Sequence, residues 1–410
     1  MAKLTPFRAL RPTLQGAPQV SSVPYDVVNT AEARALAAGN PLSFLHVTRS
    51  EIDLPAGTDP HSDAVYSLAR RNLETLRRAA PLEVEAEPAL YLYRLEMGGQ
   101  VQTGVAGTFS VDEYESDLIK KHEKTRRDKE DDRTHHMCAL RAQTGKVFLT
   151  YKASVEVDRI AERVAQAAPL FDFTAADGVA HTVWRATTAD REALVAAFAG
   201  IPELYIADGH HRAASAWRTR SELAKGSSRH APRPTAGSAD NFLAVAFPDD
   251  QVQVLPYHRL VRDLNGKSAG ALLAALQARF DFIDGPPQPA RKGQVGLYLA
   301  GRWKTFVLPS FTGASRIAGL DCNILQEEVL TPLLGIGDPR SDQRIDFVGG
   351  IRGTPELERR VDSGQVAVAF AMFPVAVADL FAVADAGEVM PPKSTWFEPK
   401  LRDGLLIHEI

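Results

Sequence analysis

The sequence predicts a mixed α+β fold, on two observations. The apolar period switches repeatedly between about two and about 3.6 residues along the chain. Hairpin signals and strand–helix alternations both occur, which fits a mixed architecture better than a doubly wound parallel sheet.

In chain order, ALYLYRLEM and QVQTGVAGTFSV flank Gly98-Gly99 and predict a hairpin with a glycine turn. The highly charged stretch from Glu115 to about Leu140 reads as helix. KVFLTYKA reads as a strand and EVDRIAERVAQAA as a helix by its apolar spacing. HTVWRAT (strand), DREALVAAFAG (helix) and PELYIADG (strand) follow. NFLAVAF and QVQVLPYHRLV flank Pro248-Asp249-Asp250, a second hairpin signal.

Beyond Leu264 come a helix in ALLAALQARF, a hairpin around Gly301-Arg302, a helix in CNILQEEVLTPLL, a strand in RIDFVG and a helix in PELERRVD. The stretch from Val366, VAVAFAMFPVAVADLFAVADAG, is interrupted by Pro374, Asp379 and Asp385. It reads as a buried strand followed by an amphipathic helix, since a membrane span wants about 20 uninterrupted apolar residues. GSSRHAPRPTAGSAD, from Gly226, reads as a surface loop, and Pro287 to Gly293 as a lesser one. No internal repeat stands out. The organisation expected is a core over residues 1–264 and an α+β region over 265–410.

The 410 residues are 45% apolar and 24% charged, as in an ordinary globular protein. A net charge of −4 gives no footprint for nucleic acid, which argues against DNA as partner. Two cysteines, Cys138 and Cys322, exclude a disulfide framework and fit a reducing compartment. MAKLTPFRALRP lacks the apolar core of a signal peptide, so a cytoplasmic protein is expected.

Four polar stretches could carry chemistry. In IADGHHRAAS, Asp208 ends a buried strand, Gly209 permits a tight turn, and His210, His211 and Arg212 open the next helix. Free N–H groups and the positive end of the helix dipole gather there, which suits an anion. Basic side chains at that end disfavour the helix itself, so they answer to something else. The plainer reading makes Asp208 an N-cap with surface histidines behind it.

KKHEKTRRDKEDDR, from Lys120, could be a solvated helix with i,i+4 pairs, or could line a site through His122, Glu123, Thr125, Asp132 and Arg133. SSVPYDVV places Asp26 just past the corner set by Pro24, as a turn carboxylate would also sit. MPPKSTWFEPKLRDGL could be an ordered cap, or mere packing. A zinc site is disfavoured: the pairs at 122–123, 135–136 and 210–211 lack the HExxH or i,i+4 spacing, and arginines crowd them. There is no G-x-x-x-x-G-K-[ST], no HRD or DFG set and no G-x-S-x-G elbow.

VPYDV, YRLEM…QTGVAGTFSVDEY, KHEKT…KEDDR, IADGHHRAA, LDCNILQEEVLTPLLGI and GEVMPPKSTWFEPKL, in that order, resemble the DUF1015 family across nearly the whole chain. The DGHHR corner is similar to the DGHTR-type motif of free-serine kinases, which belong with the ParB and sulfiredoxin proteins. Here His211 stands where that motif has threonine, and the HEKT segment precedes the corner, whereas the ENxxR box of ParB follows its glycine–arginine motif.

The resemblance implies an α+β fold with a ParB/sulfiredoxin-like, nucleotide-binding core in residues 1–264, elaborated by additional α/β segments. It implies phosphoryl transfer from ATP or ADP, with Mg²⁺, to a small hydroxy acid such as L-serine. Asp208, Gly209, His210, His211 and Arg212 would then hold the nucleotide phosphates, with His210, counted among the catalytic residues, or His211 donating to them or to the acceptor's phosphate, and Asp208 taking Mg²⁺ or orienting His210. Asp26 or Glu123 would take the hydroxyl proton. Arg126, Arg133 and Lys393 would bind the β-phosphate or the substrate carboxylate. The competing expectation is a ParB-like switch that binds nucleotide without transfer, and either reading allows a homodimer.

Overall fold

The structure is a computed structural model that describes residues 2–80, 82–225, 238–311, 313 and 315–410. The chain forms two compact units, Met1–Val252 with Pro399–Ile410, and Gln253–Glu398. The division falls at 252 rather than the expected 264, because the strand over 257–261 pairs inside the second unit's sheet. The last twelve residues return to the first unit.

The first unit is built on a mixed sheet. Its strands are β1 (Tyr91–Met97), β2 (Gln100–Ser110), β3 (Ile119–Lys120), β4 (Val147–Tyr151), β5 (Phe171–Thr174), β6 (Ala180–Arg185), β7 (Leu204–Asp208) and β8 (Asn241–Pro248). Their spatial order is β3-β7-β4-β8-β2-β1-β6-β5, and Leu4–Thr5 adds to β2. The β3–β7 and β4–β8 pairs are parallel, and the others antiparallel. Gly98 and Gly99 both have positive φ, which a two-residue primed turn between β1 and β2 requires.

The helices named below are α1 (Thr30–Ala37), α2 (Asp63–Ala79), α3 (Arg127–Leu140), α4 (Val155–Val164), α5 (Thr188–Phe198) and α6 (His210–Lys225). Val157, Ile160 and Val164 of α4, with Leu194 and Phe198 of α5, pack in one apolar cluster with Leu149, Tyr151, Phe109 and Ile206 of the sheet. A smaller antiparallel sheet orders Leu82–Val84, Ala9–Pro12, Ile407–Glu409 and Ala142–Gln143. It packs through Leu10, Ile407 and Ala142 with Leu73 and Leu76 of α2.

The second unit is an antiparallel sheet of β9 (Tyr257–Val261), β10 (Phe282–Ile283), β11 (Gln294–Leu299), β12 (Arg302–Val307), β13 (Ile345–Gly349) and β14 (Val368–Met372). The order is β10-β12-β11-β14-β9-β13. Its helices include α7 (Ala269–Gln277), α8 (Gly353–Asp362) and α9 (Val377–Asp385). Leu357 of α8 packs with Leu260, Val348 and Ala369 of the sheet.

Two expectations are corrected. The helix foreseen from Glu115 begins only at Arg127, because Asp117 turns the chain with φ 62° and Ile119–Lys120 pairs with β7. NFLAVAF and QVQVLPYHRLV do not form a hairpin: β8 lies between β2 and β4, while Gln253–Leu255 pairs with Trp396–Glu398. The foreseen surface loop from Gly226 falls largely outside the described residues. Among them, no helix is long and apolar enough to cross a membrane, and the apolar stretch from Val366 splits into β14 and α9.

Candidate functional site

β7 ends at Asp208 beside an irregularity in its pairing with β4, and the chain turns at Gly209 into the sixteen-residue α6. Gly209 has φ +91°, and a Cβ there would sit 3.3 Å from both Val147 Cα and Arg212 Nη1. Only glycine makes this turn without strain. The opening amides of α6 therefore gather at the end of β7, with the positive end of the helix dipole.

The histidines are not the surface pair of the plainer reading. His210 is 4% exposed, and its ring meets the buried His122 ring at right angles, centroids 4.5 Å apart. The His122 amide donates to His210 Nε2 at 3.5 Å, so the ring proton sits on Nδ1, which lies 4.0 Å from Glu123 Oε2. Burial brings His122 down to about 4, against opposing pulls from the Ile206 carbonyl and Asp208. Burial, with His122 beside it, also holds His210 well below its ordinary value. Both rings are neutral at pH 7. His211 is half-buried, and its Nε2 accepts the Arg126 amide at 3.0 Å.

Asp208 lies 3.5 Å from Lys400 Nζ and 3.6 Å from Arg212 Nη1. Burial raises its pKa, but Lys400 and Arg212 outweigh burial and hold it at about 2. Arg212 is buried. One Nη donates to the Lys146 carbonyl at 2.8 Å and the other to Asp26 Oδ2 at 2.7 Å. The guanidinium expected on phosphate thus grips Asp26, whose side chain remains 39% exposed.

Tyr25 lies under this pair, with Arg133 4.1 Å and Arg212 5.7 Å from its ring centre. Arg133 is tied to Asp132, which also accepts from Tyr66 at 2.9 Å and lies 3.0 Å from His61 Nδ1. The charged stretch of α3 is therefore partly internal, not a wholly solvated face. Behind the corner, burial brings the Lys146 ammonium down to about 8 and raises Asp403 to about 6, each partly offset by the other.

The structure thus joins Asp26, Glu123, Asp208, Gly209, His210, His211, Arg212 and Arg133 around one corner of the first unit. Arg126 reaches it only through its amide; its guanidinium is mostly exposed and pairs with Asp128 at 2.8 Å. Lys393 belongs to the second unit, where its ammonium lies 5.4 Å from the Tyr257 ring centre. The lysine on Asp208 is Lys400, seven residues on. Lys146, Asp403 and Lys400 escaped the sequence reading. Lys400 and Asp403 stand in a stretch singled out above, whereas Lys146 opens a strand and nothing local marks it.

Four cations (Arg133, Lys146, Arg212, Lys400) face four carboxylates (Asp26, Asp132, Asp208, Asp403) in this cluster. Among the described residues no group of three or more His, Cys, Asp or Glu could hold a metal ion. Of the cluster's carboxylates that reach solvent, Asp26 is paired with Arg212 at 2.7 Å and Asp208 is flanked by Lys400 and Arg212, which does not fit a resident ion.

Fold and site together define a mixed α/β protein with a buried-charge cluster at a strand-to-helix corner. The chain belongs to the DUF1015 family, described as a protein of unknown function, whose model matches residues 4–323. Among solved structures it is similar to a free serine kinase in complex with AMP, at 12% identity and TM-score 0.34, over 73% of this chain and 91% of that one. It is also similar to a C-terminally truncated SbnI from Staphylococcus aureus, at 12% identity and TM-score 0.37, over 73% and 85%. A conserved hypothetical protein from Pyrococcus furiosus matches at 14% identity and TM-score 0.33, over 73% and 94%. No curated protein matches the chain.

Proposed function

We propose that the first unit is a ParB/sulfiredoxin-like core that transfers a phosphoryl group from ATP or ADP to a small hydroxy acid, L-serine being the first choice, in the cytoplasm. The observation that carries this reading is the junction through Arg212. It holds Asp26, a half-exposed carboxylate from the N-terminal loop, beside the Gly209 turn and the opening amides of α6. A carboxylate and a phosphate cradle side by side are what transfer to an alcohol asks for.

The cluster's own charges balance. A polyphosphate arriving there brings its counter-charge with it, so magnesium enters as part of the nucleotide substrate. The amides after Gly209 and the ring of His211 receive the phosphates; His210, buried against His122, positions the turn. Asp26 takes the hydroxyl proton as the acceptor oxygen bonds to the terminal phosphorus, and the bridging P–O bond breaks to release ADP from ATP or AMP from ADP. Glu123 is the competing base.

The test is to incubate the full chain with magnesium and ATP or ADP and a panel of hydroxy acids, and to assay phosphorylated product by ³¹P NMR. Asp26→Asn should cut turnover by about 10²–10⁴ with nucleotide affinity retained. Equal loss in Glu123→Gln with Asp26→Asn unaffected would move the base to Glu123. Nucleotide binding without product for any acceptor would favour a nucleotide-driven switch instead.

A further inference from the structure

The second unit contains a pocket of about 330 Å³ that no residue of the corner lines. Its walls include Arg259 on β9, Cys322, Glu327, Asp338, Arg340 and Phe347. That volume lies within the range of small-molecule sites.

Arg259 sets the chemistry. It is 4% exposed, donates to the Tyr257 carbonyl, and lies 5.5 Å from the Phe347 ring centre and against Cys322. Among the described residues no carboxylate pairs with it. A guanidinium stays charged even where burial lowers its pKa, as here, and an unpaired buried charge is costly. Of the other charged wall residues, Arg340 and Asp338 answer each other at 3.9 Å. That leaves one cation deep in the wall and one exposed carboxylate, Glu327, with no ion-pair partner among the described residues.

The element that carries Glu327 is irregular. Gln326–Leu330 is a π-helical turn, a distortion that concentrates at functional sites. Its Gln326 side chain donates to the Ile336 and Gly337 carbonyls at 3.0 Å each and fixes the facing loop.

We propose that this pocket binds a small zwitterion of the α-amino acid type, its carboxylate on Arg259 and its ammonium toward Glu327. The site shares no residue with the phosphotransfer corner and does not rest on that reading. With Arg340 and Asp338 answering each other, a phosphate dianion would meet one cation and one opposing carboxylate, whereas a zwitterion matches Arg259 and Glu327 charge for charge. Cys322, 6% exposed beside Arg259, then lies against the bound carboxylate.

Calorimetry on the full chain without nucleotide, with the common L-amino acids, their deaminated carboxylates and inorganic phosphate, tests the proposal. One amino acid should bind saturably, its deaminated analogue about two- to fivefold more weakly, as for loss of an exposed ion pair. Glu327→Gln, on an exposed helical position, should weaken the amino acid by a similar factor. Arg259→Gln should weaken it about thirtyfold or more.

Should Arg259→Gln fail to fold, the wild-type chain still reports: the bound amino acid should slow alkylation of Cys322, followed by peptide mass, and leave Cys138 unaffected. No binding at millimolar concentration would overturn the proposal. So would phosphate protecting Cys322 where amino acids do not, or affinity lost in Asp26→Asn but unchanged in Glu327→Gln.

Discussion

His122, His136 and His181 have folded pKa values of about 4, about 3 and about 3, against 6.5 for the free side chain, with burial the first cause in each. Arg133 beside His136, and Arg402 beside His181, push the same way. Folding thus excludes protons that the unfolded chain takes up. The stability involved is complete above pH 6.5 and falls as pH drops toward 4, by up to about 1.4 kcal/mol per unit for each group. Asp403 works in reverse. Raised to about 6 from 3.8, its carboxyl becomes easier to bury as pH falls through that window. His258, at about 4, and His210 and His408 act in the same direction as these three, so the histidines outweigh Asp403. The urea midpoint should therefore fall between pH 7 and pH 5, and less so in His136→Gln, which keeps a donor for the Val47 carbonyl. A midpoint that holds or rises at pH 5 would refute the assignment. Eleven histidines could be counted in the sequence, yet their burial could not: His122 stands in the charged run KKHEKT, which reads as solvated.

The loop before α3 shows what an element owes to distant residues. Its composition is helical, and the reading of a helix from Glu115 followed from that. Tertiary pairing decides otherwise: residues 122–126 are clipped to α6 by two amides, His122 to His210 Nε2 and Arg126 to His211 Nε2, across 88 and 85 residues of chain. The adjacent histidines were conspicuous in the sequence as a surplus of donors, but both act here as acceptors. Local propensity carries no trace of that. His211→Ala should unclip one end, losing a hydrogen bond worth about 0.5–1.5 kcal/mol and raising the open population roughly two- to tenfold. Limited trypsin digestion reads this at Lys124, Arg126 and Arg127. Cleavage there should accelerate by that factor in the variant, and an unchanged rate would mean that the clip does not hold the loop.

At the scale of the molecule, strands with clear alternation and the helices α4, α5 and α8 were legible in order, since each is decided by its own apolar period. The closure of the first unit was not. Its small sheet sets Ile407–Glu409 between Ala9–Pro12 and Ala142–Gln143, segments too short to carry a period. Asp403 exchanges backbone hydrogen bonds with Ser22 at 2.9 and 3.2 Å, and so braces the loop that bears Asp26. Gly404, at φ +85°, lets the tail pass where a Cβ would strike Phe44 at 2.9 Å. Leu405, Leu406 and Ile407 are fully buried. Truncating one such side chain to alanine costs about 2–5 kcal/mol, against a typical total stability of about 5–15 kcal/mol. Ile407→Ala should therefore lower stability by that amount in urea. Ending the chain at Glu398 removes all three side chains, an inner strand of the small sheet, and Lys400 and Asp403 at the corner. That chain should lose the first unit's fold, with amides of β4 and β8 exchanging far faster than in the full chain. Protection of those amides at the full chain's level would show that the tail is an accessory, and that Lys400 and Asp403 are dispensable to the corner they complete.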